Sequence, residues 1–334
     1  MKILLTGATG LLGCHIAGAL LRQGYAVKAM YRSLPQAISQ LPWYYQVEWV
    51  PGQITSLPDL EKAAYDCQGI VHAAARTEPY PSNVEAYFDA NVLATRQILE
   101  VTRRLSMQRL VYVSTAAIYQ PGTYENPATE ESPFAFDLMP SGYIASKYQA
   151  QQEVLEAVAK GVPAVIVNPN FLLGPYDFKP SSGALISYVL KNRRVFFPGS
   201  GGKNFIDVRD AADATVQALQ KGRIGESYLL AATNVPYEAF FKTVASLLPE
   251  KRSLIPIPGG LMRSAGRLGT FAERLLGHPL RLNYINTVLV TQDNYYSGQR
   301  ARQELGLMST PFQDSVRDTI HWFQGKSFVN TFQT

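Results

Sequence analysis

The eight residues Thr6-Gly-Ala-Thr-Gly-Leu-Leu-Gly13 constrain this chain more than any other stretch. They follow a short apolar run, Lys2 to Leu5, that reads as a strand, and they open a helical run, Leu11 to Gln23, closed by Gly24. A strand-to-helix turn needs residues without a Cβ if its backbone is to approach a pyrophosphate, whose charge then meets the free N–H groups of the first helical turn. Gly7, Gly10 and Gly13 supply that freedom, and Thr9, Leu11 and Leu12 complete the cradle. A glycine-rich turn with no ligand is the competing reading, and the strand-then-helix context weighs against it. Cys14 and His15, just beyond on the same helix, read as packing or surface residues rather than chemistry.

The same alternation runs through the first half. Strands are predicted over 25–30, 47–50, 69–72, 109–113 and 163–167, and long helices over 84–105 and 141–160. Short strands separated by helices of this length build right-handed βαβ units, so the predicted fold class is α/β, a doubly wound parallel sheet. After Pro169 the rhythm weakens, and Gly174, Pro175, Pro180, Gly183, Pro198, Gly199, Gly201 and Gly202 argue for loops around a site. A helix over 210–220 and a strand over 226–230 return to the sheet, and further helices are predicted over 237–248, 261–276, 282–292 and 312–323. The predicted organisation is a cofactor domain of residues 1–168, rejoined by 203–232, and a smaller, mostly helical substrate domain of residues 169–202 and 233–334.

Composition narrows the function classes. A hydrophobic share of 46% against a charged share of 17% suits a globular protein with a real core. The net charge of +5 comes without a Lys/Arg cluster, so no nucleic-acid partner is expected. Two cysteines and four scattered histidines form neither a disulfide framework nor a metal-ligand set, so no metal is expected. Glycines interrupt the apolar N-terminus before it could serve as a secretory signal, and no apolar run is long enough to span a bilayer. The expectation is a cytoplasmic protein with no membrane partner.

A site for NAD usually places Asp or Glu about twenty residues past the loop, on the ribose 2′-hydroxyl. Here no acidic residue occurs between Cys14 and Val47, and the second strand ends Lys28-Ala-Met-Tyr-Arg32-Ser33. The planar guanidinium of Arg32 can stack on adenine and pair with a 2′-phosphate. NADP is therefore the expected cofactor, with NAD the less favoured one; a solvated arginine at a strand end is the bland alternative.

Tyr143 and Lys147 lie four apart at the start of a predicted helix, so they share a face. A free tyrosine has a pKa near 10, and a fixed cation beside it favours the phenolate and eases proton transfer. Such a pair alone is a weak signal. The upstream strand, Arg109 to Val113, ends in the hydroxyls Ser114 and Thr115, which emerge where parallel sheets bind ligands. A cap or turn role is the alternative for these two.

Taken together, these residues resemble the extended short-chain dehydrogenase/reductase family. The resemblance runs through TGATGLLG at 6–13, VHAAA at 71–75, NVLATRQIL at 91–99, VYVSTAAIY at 111–119 and YIASK at 143–147. It continues through NPNFLLGP at 168–175, NFIDVRDAADA at 204–214 and SGQRARQELG at 297–306. It implies a Rossmann-type sheet, Tyr143 as the proton-exchanging residue, Lys147 holding the nicotinamide ribose and Thr115 orienting the substrate oxygen. Asn91 matches a position near the active site, with a packing role as its alternative. The implied cofactor lining is Gln53, Ile54, Ala73, Ala74, Ala75, Val113, Ser114, Pro169 and Leu172, and the implied substrate contacts are Thr115, Asn170 and Tyr176. A homodimer through the two long helices is also implied. Two departures stand out. Gly52-Gln53-Ile54 replaces an expected Asp for the adenine amino group, and Asn168-Pro169 replaces Arg-Pro.

On the substrate side, no late arginine pair followed by Gly-Asp appears after Arg252, so the diphosphate clamp of sugar-nucleotide epimerases is missing. The tail DNYYSGQRARQELG resembles the dihydroflavonol-reductase and hydroxysteroid-dehydrogenase branch instead. Leu261, Ala265, Leu268, Ala272 and Leu275 share one helical face, which reads as a core or lid helix first and a membrane-surface helix last. Tyr176, Phe178, Lys179 and Ser181 lie in a loop that could touch substrate. The leading expectation is hydride transfer between NADPH and a carbonyl or secondary alcohol of a small organic substrate. A sugar-nucleotide epimerase or dehydratase is the alternative, and a non-catalytic NADP sensor the third.

Overall fold

Ile3, Leu4 and Leu5 are fully buried, as residues of a strand covered by helices on both faces must be. They belong to β1 (Lys2–Thr6), which lies inside a seven-stranded parallel sheet in a computed structural model that describes residues 1–77, 84–136, 141–277, 280 and 282–325. The other strands are β2 (Ala26–Tyr31), β3 (Val47–Pro51), β4 (Gly69–His72), β5 (Arg109–Val113), β6 (Ala164–Pro169) and β10 (Ser227–Leu230). Their order is β10-β6-β5-β4-β1-β2-β3, every neighbouring pair parallel. Chain order reverses between β1 and β4. That switch point opens the crevice in which such sheets bind ligands.

Side chains alternate across the sheet. Ile3 and Leu5 pack with α1 (Leu11–Arg22) and α7 (Val208–Lys221), while Leu4 faces α2 (Leu57–Ala64), α4 (Ala94–Arg104) and α5 (Gly142–Ala159). The helix predicted over 84–105 starts as α3 (Glu85–Phe88) and passes through a π-helical turn at Asp89–Leu93 into α4. The predicted strands of the first half all appear, within a residue or two at their ends. Helix α2 was not foreseen. Its start is signalled by Ser56, whose side chain accepts from the Asp59 amide, with Pro58 in the first turn.

The smaller domain is mostly helical, and it also carries two small sheets that were not expected. β7 (Phe171–Leu173), β9 (Gly202–Asp207), β11 (Thr233–Pro236) and β13 (Asp293–Asn294) form a four-stranded sheet, and β8 (Arg194–Pro198) pairs with β12 (Ser253–Ile257). These strands are short and bounded by Gly and Pro, the features that read as loops. Their apolar faces close on α6 (Ala184–Lys191), α8 (Tyr237–Ser246) and α12 (Phe312–Phe323), around Phe205, Phe240 and Phe241. Residues 202–207 therefore belong to the small sheet, and the return to the cofactor domain begins at α7. The chain comes back once more, because α11 (Gln299–Leu305) packs on α7 and β10.

Two remaining helices, α9 (Gly259–Leu276) and α10 (Tyr284–Thr291), pair with each other. Leu261, Leu268 and Leu275 are exposed on α9, so of the core and lid readings of this face the core one does not hold. The segment after β5 is tied to the smaller domain by bridges from Gly122 to Tyr295 and from Ala128 to Tyr296. The two domains thereby meet beyond the carboxyl end of β5, next to the crevice at the switch point.

Candidate functional site

The glycine loop closes so tightly that side chains are excluded. Gly7 has φ +81°, and a Cβ on it would stand 2.5 Å from the Ala74 amide nitrogen. A Cβ on Gly13 would stand 2.0 Å from the Gly7 carbonyl oxygen. Gly10 precedes α1, whose start has no side-chain cap and no acidic residue in its first turn. The amides of Leu11, Leu12 and Gly13 have no intrahelical acceptors, so the cradle offers N–H groups and a helix dipole to an anion. Thr6 secures the facing loop: its carbonyl accepts from the Ala73 amide at 3.2 Å and its hydroxyl from the Ala74 amide at 3.4 Å. Ala73 and Ala74 thus lie against the glycine turn.

The far end of the crevice lies over β2 and β3, which pair Tyr31 with Pro51. Arg32, directly after β2, is exposed and has no carboxylate partner among the described residues. Gln53 is exposed too, and its amide donates to the Asp59 carboxylate at 2.9 Å. Ile54 packs against the core below α2. An exposed guanidinium at this end of the crevice and the glycine cradle at the other fit the anionic groups of a dinucleotide.

At the centre, α5 begins so that Tyr143 and Lys147 fall one turn apart beside the end of β5. The Lys147 ammonium donates to the Val113 carbonyl at 2.7 Å and lies 4.4 Å from the centre of the Tyr112 ring. Burial drives its pKa down to about 7. Burial also raises that of Tyr143, against the opposing effect of a hydrogen bond with the Thr115 side chain. Both groups are therefore held toward their uncharged forms until an anion enters. Thr115 also accepts from the Ala117 amide at 3.3 Å, so the cap role and the contact with Tyr143 coexist. The Ser114 hydroxyl is buried beside the Tyr112 side chain.

Asn91 touches neither Tyr143 nor Lys147 directly. Its amide takes the Arg76 N–H at 2.7 Å and donates to the Ser146 hydroxyl at 2.9 Å. It thereby clamps the loop after β4 to α5. The π turn frees the Asn91 carbonyl to accept from the Thr95 hydroxyl at 2.6 Å. His72 is buried between the hydroxyls of Thr6 (2.7 Å) and Thr95 (3.5 Å), and burial lowers its pKa to about 3. It stays neutral, in keeping with a structural part.

Asn168, where the resemblance expects arginine, donates to the Thr115 carbonyl at 3.1 Å and to Gln151 at 2.9 Å. This amide pair locks the ends of β5 and β6 to α5 without a cation. Pro169 ends β6, Leu172 packs partly buried on the α1 side of the sheet, and Val113 contributes the carbonyl that holds Lys147. Asn170 follows, with a buried Nδ2 that has no acceptor among the described residues.

Tyr176 is a correction. Its ring is buried against His15, Phe178 and Trp322, with centroids 5.3, 6.2 and 5.2 Å away, so it packs the loop onto α1 and α12 rather than lining the cleft. Ser146, Gln151 and Lys203 went unnoticed in the sequence. The Lys203 ammonium lies 5.3 Å from the centre of the Phe171 ring, one residue past Asn170, and burial lowers its pKa to about 8.

Known proteins share the sequence pattern and the fold. The family model described as "NAD dependent epimerase/dehydratase family" matches residues 3–231. A Synechocystis sp. protein provisionally named a dihydroflavonol 4-reductase is 32% identical, over 98% of this chain and 95% of its own length. Sterol demethylase protein B of Methylococcus capsulatus is 28% identical, over 98% of this chain and all of its own (100%). The crystal structure of gox2253 superposes with a TM-score of 0.85 at 26% identity, covering 97% of this chain and 98% of that one.

Proposed function

The chain belongs to the NAD dependent epimerase/dehydratase family, and from that premise we propose that it is an NADP(H)-dependent oxidoreductase acting on the carbonyl or secondary alcohol of a small organic molecule. The observation that carries this reading is the meeting of Tyr143, Lys147 and Thr115 at the carboxyl end of β5, beside a glycine cradle no side chain could enter. Gly7 to Gly13 would hold the pyrophosphate, Arg32 the 2′-phosphate, Gln53 the adenine, and Lys147 the nicotinamide ribose. The bound cofactor supplies the hydride. Tyr143 gives its proton to the substrate oxygen, and the Thr115 hydroxyl holds that oxygen toward it. Lys147, once charged, lowers the cost of the phenolate left behind. Asn91 acts at one remove, positioning α5 against the cofactor loop through Ser146.

The substrate proposed is an apolar or aromatic ring compound. The names of the two relatives, a dihydroflavonol reductase and a sterol demethylase, denote such compounds. The missing arginine clamp after Arg252 agrees. A second reading, conversion of a nucleotide sugar, draws on Lys203, a buried cation next to Asn170 that an anionic substrate could meet. The enzyme is proposed to work in the cytoplasm, where the two buried thiols Cys14 and Cys67 stay free, and to pair as a homodimer through α4 and α5.

Purified protein incubated with NADPH and a panel of ketones and aldehydes is expected to consume cofactor in proportion to product alcohol. Conversion of a nucleotide sugar with no net cofactor change, and no consumption on any carbonyl, would replace this reading with the second.

A further inference from the structure

Helix α9 carries an outer face that the rest of the described chain leaves uncovered. Leu261, Leu268 and Leu275 recur every seven residues and so form one column, with Phe271 and Leu276 on either side. All five are between 59% and 73% exposed, far more than a helix buried in a core would allow. Gly266 is the only buried residue of the helix. It marks the opposite side, where α9 meets α10: a Cβ on Gly266 would stand 2.2 Å from the Thr287 hydroxyl, and one on Gly269 would stand 1.7 Å from the Leu282 carbonyl oxygen.

The charge on the α9 side of this hairpin has one sign. Arg263, Arg267 and Arg274 are exposed on a single sector adjoining Phe271, beside α10, where Arg263 donates to the Thr291 side chain and carbonyl (2.9 and 3.4 Å) and Arg267 lies 5.2 Å from the centre of the Tyr284 ring. Glu273, the one acidic residue of α9, is turned inward, its carboxylate accepting from the Leu280 amide (2.6 Å) and the Asn283 side chain (3.0 Å). The sequence of α10, YINTVLVT, has no charged residue. A second copy of the chain is a poor occupant, because an isologous contact would bring both arginine columns to one interface with no carboxylate to meet them. An anionic lipid surface meets both halves of the pattern.

We propose that the outer face of α9 docks on an anionic lipid–water interface, its leucines and phenylalanine in the acyl boundary and its arginines among the headgroups. The helix lies on the surface and does not cross it: no helix of the described residues is long and apolar enough to span a membrane. This revises the expectation that the protein has no membrane partner. Leu289 of α10 packs on the same apolar cluster as Tyr143, with Ile118 and Ile144. Through α10 the docked hairpin is tied to the residues around Tyr143, so an apolar substrate dissolved in the bilayer would reach the site past this hairpin. That consequence rests on the oxidoreductase reading; the docking does not.

The test is sedimentation of the whole protein with phosphatidylcholine vesicles, with and without phosphatidylglycerol, read without turnover. The native protein is expected to bind the anionic vesicles and to release as salt is raised. Arg267→Gln and Arg274→Gln should each weaken binding about fivefold. The double variant Leu268→Glu/Leu275→Glu should weaken it more than about tenfold while keeping native circular dichroism and NADPH affinity. Absence of binding to either vesicle, or binding that all these variants retain, overturns the proposal. So does a native oligomer that Leu268→Glu/Leu275→Glu dissociates, because that face would then be an interface between copies.

Discussion

Lys147 is a buried ammonium whose contacts are a carbonyl and a tyrosine ring, and its pKa near 7 follows from that burial. At pH 8, one unit above, only about a tenth of it is charged in the empty enzyme. An anionic dinucleotide nearby favours the ammonium and raises the value, so binding must take up a proton. Calorimetry of NADPH binding at pH 8, in buffers of different ionisation enthalpy, is expected to show uptake close to one proton per site. Lys147→Met should abolish it, and uptake that survives this change would assign the proton elsewhere. The glycines make a steric prediction. Gly13→Ala places a methyl 2.0 Å from a backbone oxygen and should lower stability by about 1–3 kcal/mol, measured as urea midpoint, with loss of dinucleotide binding. For Arg32→Ala, removal of a charge-assisted contact should cost about 1.5–3 kcal/mol of NADPH affinity and leave NADH affinity nearly unchanged. Tighter binding of NADH than NADPH by the native protein would contradict the assignment of Arg32.

At the scale of elements, the two domains are joined by a buried ion triad. Arg209, at the start of α7, reaches Asp207 at the end of β9 and Asp318 on α12, each at 2.7 Å. Burial pushes the Asp207 carboxyl up, but Arg209 outweighs it and holds the pKa below the ordinary carboxylate value. Asp207 also caps α7 and accepts from the Ser315 hydroxyl at 2.7 Å. Arg209→Leu would leave two buried carboxylates facing each other and should cost about 3–5 kcal/mol of stability in thermal or denaturant unfolding. A loss within a few tenths of a kcal/mol would mean that the triad does not hold the domains together. The elements also show what could be read from sequence. β1, β4 and β5 are buried on both faces and are continuous apolar runs, so their pattern announced them. β7, β9 and β11 are short and lie among Gly and Pro, and their pairing is set by partners distant in the chain. The face of α9 misled for a different reason: its 3.6-residue periodicity is real, but periodicity states that a face is apolar and not what covers it.

In the whole molecule, the site is built from segments that the sequence scatters. Gly7 to Gly13, Ala73 to Ala75, Thr115, and the Tyr143 and Lys147 pair were legible because each sits at a strand end or helix start whose geometry demands its residue type. The parts that hold them were not. Ser146 and Gln151 look like ordinary helical polar residues until Asn91 and Asn168 are seen to bond them. Tyr176, bracketed by Pro175 and Phe178 in an apparent substrate loop, is drawn into the core by His15 and Trp322, more than a hundred residues away on either side. The central claim is that this assembly moves a hydride to a carbonyl while Tyr143 supplies the proton. Its most direct test uses NADPH deuterated at the transferable nicotinamide position, with a carbonyl substrate from the panel and the product read by mass spectrometry. The native enzyme is expected to deliver one deuterium to the product alcohol, and Tyr143→Phe to bind NADPH normally yet transfer about 10²–10⁴-fold more slowly. Transfer undiminished in Tyr143→Phe, or no deuterium in any product of the native enzyme, would contradict the account.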